Sequence, residues 1–267
     1  MKIFCVISHT HWDREWYQTF EVFRLRLVDL IDRCLDLLKN NSDYIFHLDA
    51  QTIVIEDYLE IRESKREQLA EYIQQGRLIV GPWYLQNDFY LTSGESTIRN
   101  LILGHRIAEK YGSCQKVGYA ADQFGNISQL PQILKNFEID NFIFGRGYTQ
   151  YEKNDDGHYY RKSLPSEFIW RGADGTELLA INMPFWYNNA QRFPDNIEKS
   201  LKLLEKIENL FENLAVTPYL LLMNGVDHLE AQDDLIPILN TLNTRLDDKR
   251  RVFQFKLEDY VRQVKEY

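Results

Sequence analysis

The chain has 267 residues, and its sequence predicts an α/β fold built around a parallel sheet. Three observations carry that expectation. Short apolar runs rich in β-formers recur from one end to the other, as buried parallel strands do. Amphipathic helical stretches fill the gaps between them, and no internal repeat, low-complexity tract or interdomain linker interrupts the series.

In order, 2–7 is a strand, after which Phe23, Leu27, Leu30, Ile31, Cys34 and Leu38 fall on one helical face. A strand over 44–48 follows, then a helix over 58–75 that stops at Gly76, and a strand over 77–80. Thr92-Ser93-Gly94-Glu95 has the form of a capping box before a helix carrying Ile98, Leu101, Ile102 and Ala108. After a strand over 117–121, Ser128 and Pro131 open a helix reaching Phe137, and 141–144 is again a strand. The polar stretch 151–163, with Asn154-Asp155-Asp156-Gly157, is expected as a long surface loop. Ala173-Asp174-Gly175-Thr176 is a hairpin turn joining 167–170 to 178–181. Asp195 caps a helix over 197–211, 219–223 is a wholly apolar strand, and Asp233, Asp234 and Pro237 start a helix reaching Leu246. A strand over 252–255 and a helical end over 261–267 complete the chain. A series of this kind satisfies either a closed β/α barrel or an open doubly wound sheet. In both, ligands bind beyond the carboxyl ends of the strands.

Composition narrows the function. Lys and Arg number 31 against 40 Asp and Glu, a net charge of -9, which is poor equipment for binding nucleic acid or an anionic membrane. No apolar stretch approaches the roughly 20 residues that span a bilayer, and no signal-peptide pattern opens the chain, so the expected location is cytoplasmic. Cys5, Cys34 and Cys114 are too widely spaced for a zinc site of the Cys-x-x-Cys kind and read as core residues.

Three strand ends hold candidates for chemistry. His11 and Asp13 lie two apart beyond the first strand, so on continued extended backbone they point the same way and can share a metal, with His9 nearby. Asp122 follows the strand over 117–121, and Asp227-His228 follows Met223-Asn224-Gly225. A hydrogen-bonded strand end, an Asx turn and a polar loop are the competing readings of the three. Taken together, one metal-ligand set and a further carboxylate suggest hydrolysis or transfer at an electrophilic carbon, and paired carboxylates are what glycoside hydrolysis uses.

At these residues the chain resembles glycoside hydrolase family 38, the α-mannosidases, and especially its bacterial branch. The resemblance rests on the run His9 to Trp16, on Gly81-Pro82-Trp83-Tyr84 followed by Glu95 to Leu101, on Ala121-Asp122-Gln123-Phe124-Gly125, on Phe144-Gly145-Arg146 and on Met223 to His228. It implies a seven-stranded parallel β/α barrel in place of the open sheet, over residues 1–267 as one catalytic domain. It implies that His11, Asp13 and Asp122 are zinc ligands, that Asp122 is also the nucleophile and that Asp227 is the general acid/base. Arg146 matches an arginine near the nucleophile, and Trp12 and Trp83 become candidates for stacking on the mannose ring. The activity implied is retaining, zinc-dependent hydrolysis of terminal α-mannosidic bonds in oligosaccharides or glycans, with the two carboxyl groups about 5 to 5.5 Å apart.

The family's fourth zinc ligand is a histidine in a helical domain downstream, with no counterpart here. The expectation is therefore the N-terminal part of a longer chain, whose helical and β-sandwich domains complete the site, and weak or no activity from residues 1–267 alone. His228 stands where the family uses no ligand, and His47, His105 and His158 are expected to be structural or on the surface. A metal-dependent carbohydrate deacetylase-like hydrolase and a non-catalytic sugar-binding barrel are the alternative readings.

Overall fold

The structure, a computed structural model, describes residues 1–149 and 151–267. In chain order the first half comprises β1 (Lys2–Thr10), α1 (Phe20–Asn40), β2 (Phe46–Leu48), α2 (Ile53–Ile61), α3 (Arg66–Gln74), β3 (Leu78–Ile79), α4 (Gly94–Tyr111), β4 (Gly118–Ala120) and α5 (Leu130–Lys135). There follow β5 (Asn141–Phe144), β6 (Tyr151–Lys153), β7 (Tyr159–Arg161), β8 (Glu167–Arg171), β9 (Glu177–Asn182) and α6 (Ile197–Phe211). The chain closes with β10 (Tyr219–Asn224), α7 (Leu235–Arg245), β11 (Arg250–Gln254) and α8 (Leu257–Glu266).

The strands form two arcs. In the first, β1 pairs in parallel with β10 on one side; on the other it pairs with β11 along its start and with β2 at its end, and β2 pairs with β3. In the second, β4, β5 and β9 are parallel and β8 closes the edge antiparallel, as the hairpin turn at Ala173 to Thr176 predicts. Among the described residues no strand pairing joins β3 to β4 or β9 to β10. Single backbone hydrogen bonds cross near both seams, from Gln115 N to Val80 O (3.1 Å) and from Ala190 N to Met223 O (3.1 Å). The architecture is α/β with parallel strands and covering helices.

β1 and β10 are apolar on both faces because both faces are buried. Phe4 and Val6, with Leu220 and Leu222, face one core shared with α1 and α7, whereas Cys5 and Ile7, with Leu221 and Met223, face a second core shared with β4 and β5. The period of two along a strand sends alternate side chains to opposite layers. β8 has only one covered face, so its burial alternates.

Several boundaries differ from expectation. The helix over 58–75 is two helices, starting at Ile53 and broken at Arg62 (φ -119°, ψ 48°). Leu59, Leu69, Tyr72 and Ile73 are buried on both sides of the break, so periodicity alone does not reveal it. The cap of α4 is Ser93, which accepts from Ser96 N, and Glu95 pairs with Arg99 instead of closing a capping box. Asn196, not Asp195, caps α6 through Lys199 N. The segment 151–163 holds the β6–β7 hairpin where a loop is expected.

Candidate active site

β1 runs three residues past the apolar segment 2–7, because β10 pairs with it as far as Ser8 and β2 takes over at His9 and Thr10. His11 then forms an isolated parallel bridge with Asp227: His11 N donates to Val226 O (3.3 Å) and His228 N to His11 O (2.9 Å). Gly225 makes this approach possible, since a Cβ there would lie 2.0 Å from His9 O.

The His11 ring is buried and hydrogen-bonds through Nδ1 to the Asp49 carboxylate at 2.9 to 3.0 Å. Its Nε2 faces Asp13 Oδ1 at 3.8 Å, beyond hydrogen-bond reach. Burial disfavours the imidazolium, but the charge and hydrogen bond of Asp49, followed by the charges of Asp13 and Asp227, outweigh it and push the His11 pKa up to about 9. The Asp13 carboxyl is raised by burial and by the charges of Asp49, Asp227 and Asp122, with His11 pulling the other way. Of these carboxylates, Asp13 and Asp122 line one cavity with His11.

Asp122 sits two residues past β4, beyond its carboxyl end. Arg146, just past β5, donates through Nε to Asp122 Oδ1 (2.8 Å) and to its carbonyl (2.9 Å), and through Nη2 to the same Oδ1. The guanidinium is itself sandwiched by Phe124 (4.1 Å) and Trp186 (4.6 Å). Asp227 accepts a 2.9 Å hydrogen bond from Tyr187 Oη. Burial raises the Tyr187 phenol, and the nearby charges of Asp122 and Asp227 raise it further, so Tyr187 stands within electrostatic reach of both carboxylates. A cavity of about 490 Å³ is lined by His11, Asp13, Gln86, Asp88, Asp122 and Phe124, among others; Asp227 is not among its lining residues.

The expected stacking tryptophans need correction. Trp83 is wholly buried, and its Nε1 donates to Tyr119 O (2.8 Å), away from the cavity. Trp12 borders the cavity but is only 3% exposed, with its ring edge-on to His228 (4.8 Å) and Phe23 (6.3 Å). Phe124 is the aromatic that lines the cavity and is exposed. His228 stacks on Phe23 and hydrogen-bonds through Nε2 to Asp13 O (3.2 Å), which accounts for it structurally. His9 bonds Tyr187 O (2.8 Å), His47 bonds Ser8 O (3.1 Å), His105 bonds Leu101 O (2.8 Å), and His158 is exposed. The candidates missing from the sequence reading are Asp49, Gln86 and Tyr187. Asp49 could have been found by applying the strand-end rule to β2.

The donor chemistry suits a zinc ion. Two ligands of a tetrahedral zinc, each about 2.1 Å from it, stand roughly 3.4 Å apart, and the His11 Nε2–Asp13 Oδ1 pair at 3.8 Å is near that spacing. Among the described residues no three of His, Cys, Asp and Glu stand together in metal-holding geometry.

Fold and site define a class first: an α/β domain with two carboxylates, Asp122 on Arg146 and Asp227 on Tyr187, beyond the ends of parallel strands. Residues 1–267 match the N-terminal domain of the glycosyl hydrolases family 38, and the chain belongs to that family. It is 39% identical over 267 residues to a protein of Halalkalibacterium halodurans described as a putative mannosylglycerate hydrolase, covering 98% of this chain and 29% of that one. It is 30% identical over 183 residues to an alpha-mannosidase of Saccharomyces cerevisiae, covering 67% of this chain and 16% of that one. The crystal structure of an alpha-mannosidase from Enterococcus faecalis superposes with a TM-score of 0.91 at 33% identity, over 100% of this chain and 29% of that one. The chain thus spans under a third of the length of these relatives. No helix among the described residues is long and apolar enough to cross a membrane.

Proposed function

We propose that this chain is the catalytic domain of a retaining α-mannosidase, and that its two arcs are the halves of one seven-stranded barrel. The strands β1, β2, β3, β4, β5, β9 and β10 follow one another in chain order around the arcs, which supports that reading. The observation that carries the function is the pair of separately held carboxylates, Asp122 on Arg146 and Asp227 on Tyr187, beside His11 and Asp13.

With Oδ1 engaged by Arg146, Asp122 is left with Oδ2 to attack the anomeric carbon. Asp227 accepts from Tyr187 at Oδ1, which leaves Oδ2 to carry the proton delivered to the departing glycosidic oxygen. The same oxygen then takes a proton from water, which opens the glycosyl ester on Asp122 with retained configuration. His11, Asp13 and Asp122 would hold zinc, which supplies a Lewis acid for two adjacent sugar hydroxyls and orients the ring. Phe124 offers an exposed aromatic face at the cavity wall. The fourth zinc ligand and the downstream domains come, in this reading, from polypeptide outside these residues, as the greater length of the relatives supports.

The substrate class is a terminal α-mannoside, in an oligosaccharide or on a small aglycone; the name of the bacterial relative makes mannosylglycerate one compound to try. The test is an aryl α-mannoside assay on the whole protein, with and without a chelator, beside Asp122→Ala. Aryl release that needs both the metal and Asp122 is expected. Release of acetate from an acetylated sugar, with no mannoside cleavage, would instead identify a deacetylase.

A further inference from the structure

We propose that Asp49 is the positioning residue for the metal pair, holding His11 and the strand end that carries Asp13 in ligating orientation; this rests on the metal reading above. Asp49 stands one residue past β2 and is 1% exposed. Its Oδ1 accepts from His11 Nδ1 (3.0 Å) and Gln86 Nε2 (3.0 Å), and its Oδ2 from Trp12 N (2.7 Å) and Gln51 Nε2 (2.8 Å). One carboxylate therefore grips the histidine ring and the peptide that links His11 to Asp13.

The two glutamines close the network. Gln51 Nε2 also donates to Trp12 O (2.9 Å), and Gln51 Oε1 accepts from Gln86 N (3.0 Å), so the loops after β1, β2 and β3 are tied at one point. Asp49 and Ala50 both have left-handed backbone (φ 50° and 55°). Non-glycine residues hold that conformation only where their surroundings over-determine it, and such positions concentrate at functional sites. A carboxylate only accepts, so in the neutral ring that binds a metal the bond to Asp49 keeps the proton on Nδ1 and leaves Nε2, 3.8 Å from Asp13 Oδ1, as the open nitrogen.

The test measures zinc itself. Zinc affinity of the whole protein is read by competition with a chromogenic chelator for wild type and Asp49→Asn, together with the thermal midpoint of each in zinc-free buffer. A loss of roughly 10- to 100-fold in affinity with folding retained is expected. Nitrogen-15 NMR of the histidines supplies the readout that a merely structural role would not move. In the zinc-loaded protein His11 should carry its proton on Nδ1 and bind zinc through Nε2, and this arrangement should be lost in Asp49→Asn. Unchanged affinity in a folded Asp49→Asn, or zinc bound through Nδ1 in wild type, overturns the proposal while leaving the metal reading intact. A wild type that binds no zinc removes both. If Asp49→Asn does not fold, Gln86→Leu, which removes one donor to Asp49, should show a smaller loss of affinity, and the wild-type tautomer decides the question.

Discussion

The two arcs of strands solve the problem of a filled interior differently. The arc of β10, β1, β2 and β3 is threaded with buried polar side chains: Tyr44 Oη and Gln254 Nε2 donate to Ser8, which bonds Asn224, which bonds Gln232. The arc of β4, β5, β9 and β8 is aromatic, with Phe142 stacked on Phe144 (5.3 Å), Tyr148 on Phe168 (4.4 Å) and Trp170 against Phe142 (5.7 Å). Hydrogen bonds fix direction, whereas packed rings fix volume. The groups that must point, His11, Asp13 and Asp227, all come from the polar arc. The nucleophile candidate Asp122 comes from the aromatic arc and takes its direction from one partner, Arg146, clamped between two rings.

Catalysis offers the largest effect with which to break this comparison. Asp122→Ala and Asp227→Ala should each lower turnover of an aryl α-mannoside by roughly 10³-fold or more. A leaving group that needs no proton should rescue the first step in Asp227→Ala and not in Asp122→Ala, and equal rescue of both would dissolve the division of roles. Stability comes next. Phe142→Ala should cost about 3 to 5 kcal/mol, a fall in thermal midpoint on the order of 10 °C. Asn224→Ala removes the acceptor of the Ser8 hydroxyl (3.2 Å) and the side-chain donor to Ala190 O (3.1 Å), while Gln232 Oε1 keeps Phe193 N (2.9 Å), and should cost about 1 to 3 kcal/mol, set by how far water reaches the orphaned groups. Denaturant titrations that reverse this order would show that volume, not direction, governs the polar arc as well.

The last effect is confined to acid pH. His47 donates from Nδ1 to Ser8 O (3.1 Å) and accepts at Nε2 from Leu257 N (3.2 Å), so the neutral ring is fully satisfied. Burial, offset in part by the Ser8 bond, lowers its pKa to about 3. The unfolded chain takes up this proton near pH 6.5 and the native one does not, so stability falls as pH drops from about 6.5 toward 3, by at most about 1.4 kcal/mol per pH unit for this group. His47→Gln should flatten the acid limb of a plot of thermal midpoint against pH; an unaltered limb would assign acid sensitivity to other groups.

How far the molecule is legible in its sequence also divides along these lines. The strands of both arcs stand out because residues such as Phe4 to Ile7 and Leu220 to Met223 are buried on two faces and must be apolar. His11, Asp13, Asp122 and Asp227 are visible because polar groups directly after such strands are exceptional. Asp49 stands directly after β2 and is open to the same rule, but its role is not, since that lies in donors from Trp12 and Gln86, which no local pattern links to it. Tyr187 lies between β9 and α6 in a stretch without regular period. Trp83 misleads because an aromatic residue in a motif says nothing about which way its ring turns, and it turns into the core.

The bridge between His11 and Asp227 has one further consequence. Neighbouring strands stand about 4.8 Å apart, so the distance between the backbones of His11 and Asp227 is quantised by the lattice of the sheet. Loop length cannot tune it. The only adjustable quantity is the reach of the side chain, and one methylene is the smallest step available. Asp227→Glu, chemically the mildest exchange at the site, would overshoot a spacing that nothing else can readjust. Asp122 lines the cavity beside His11 from the other arc, across a seam without a ladder, and is free of that constraint.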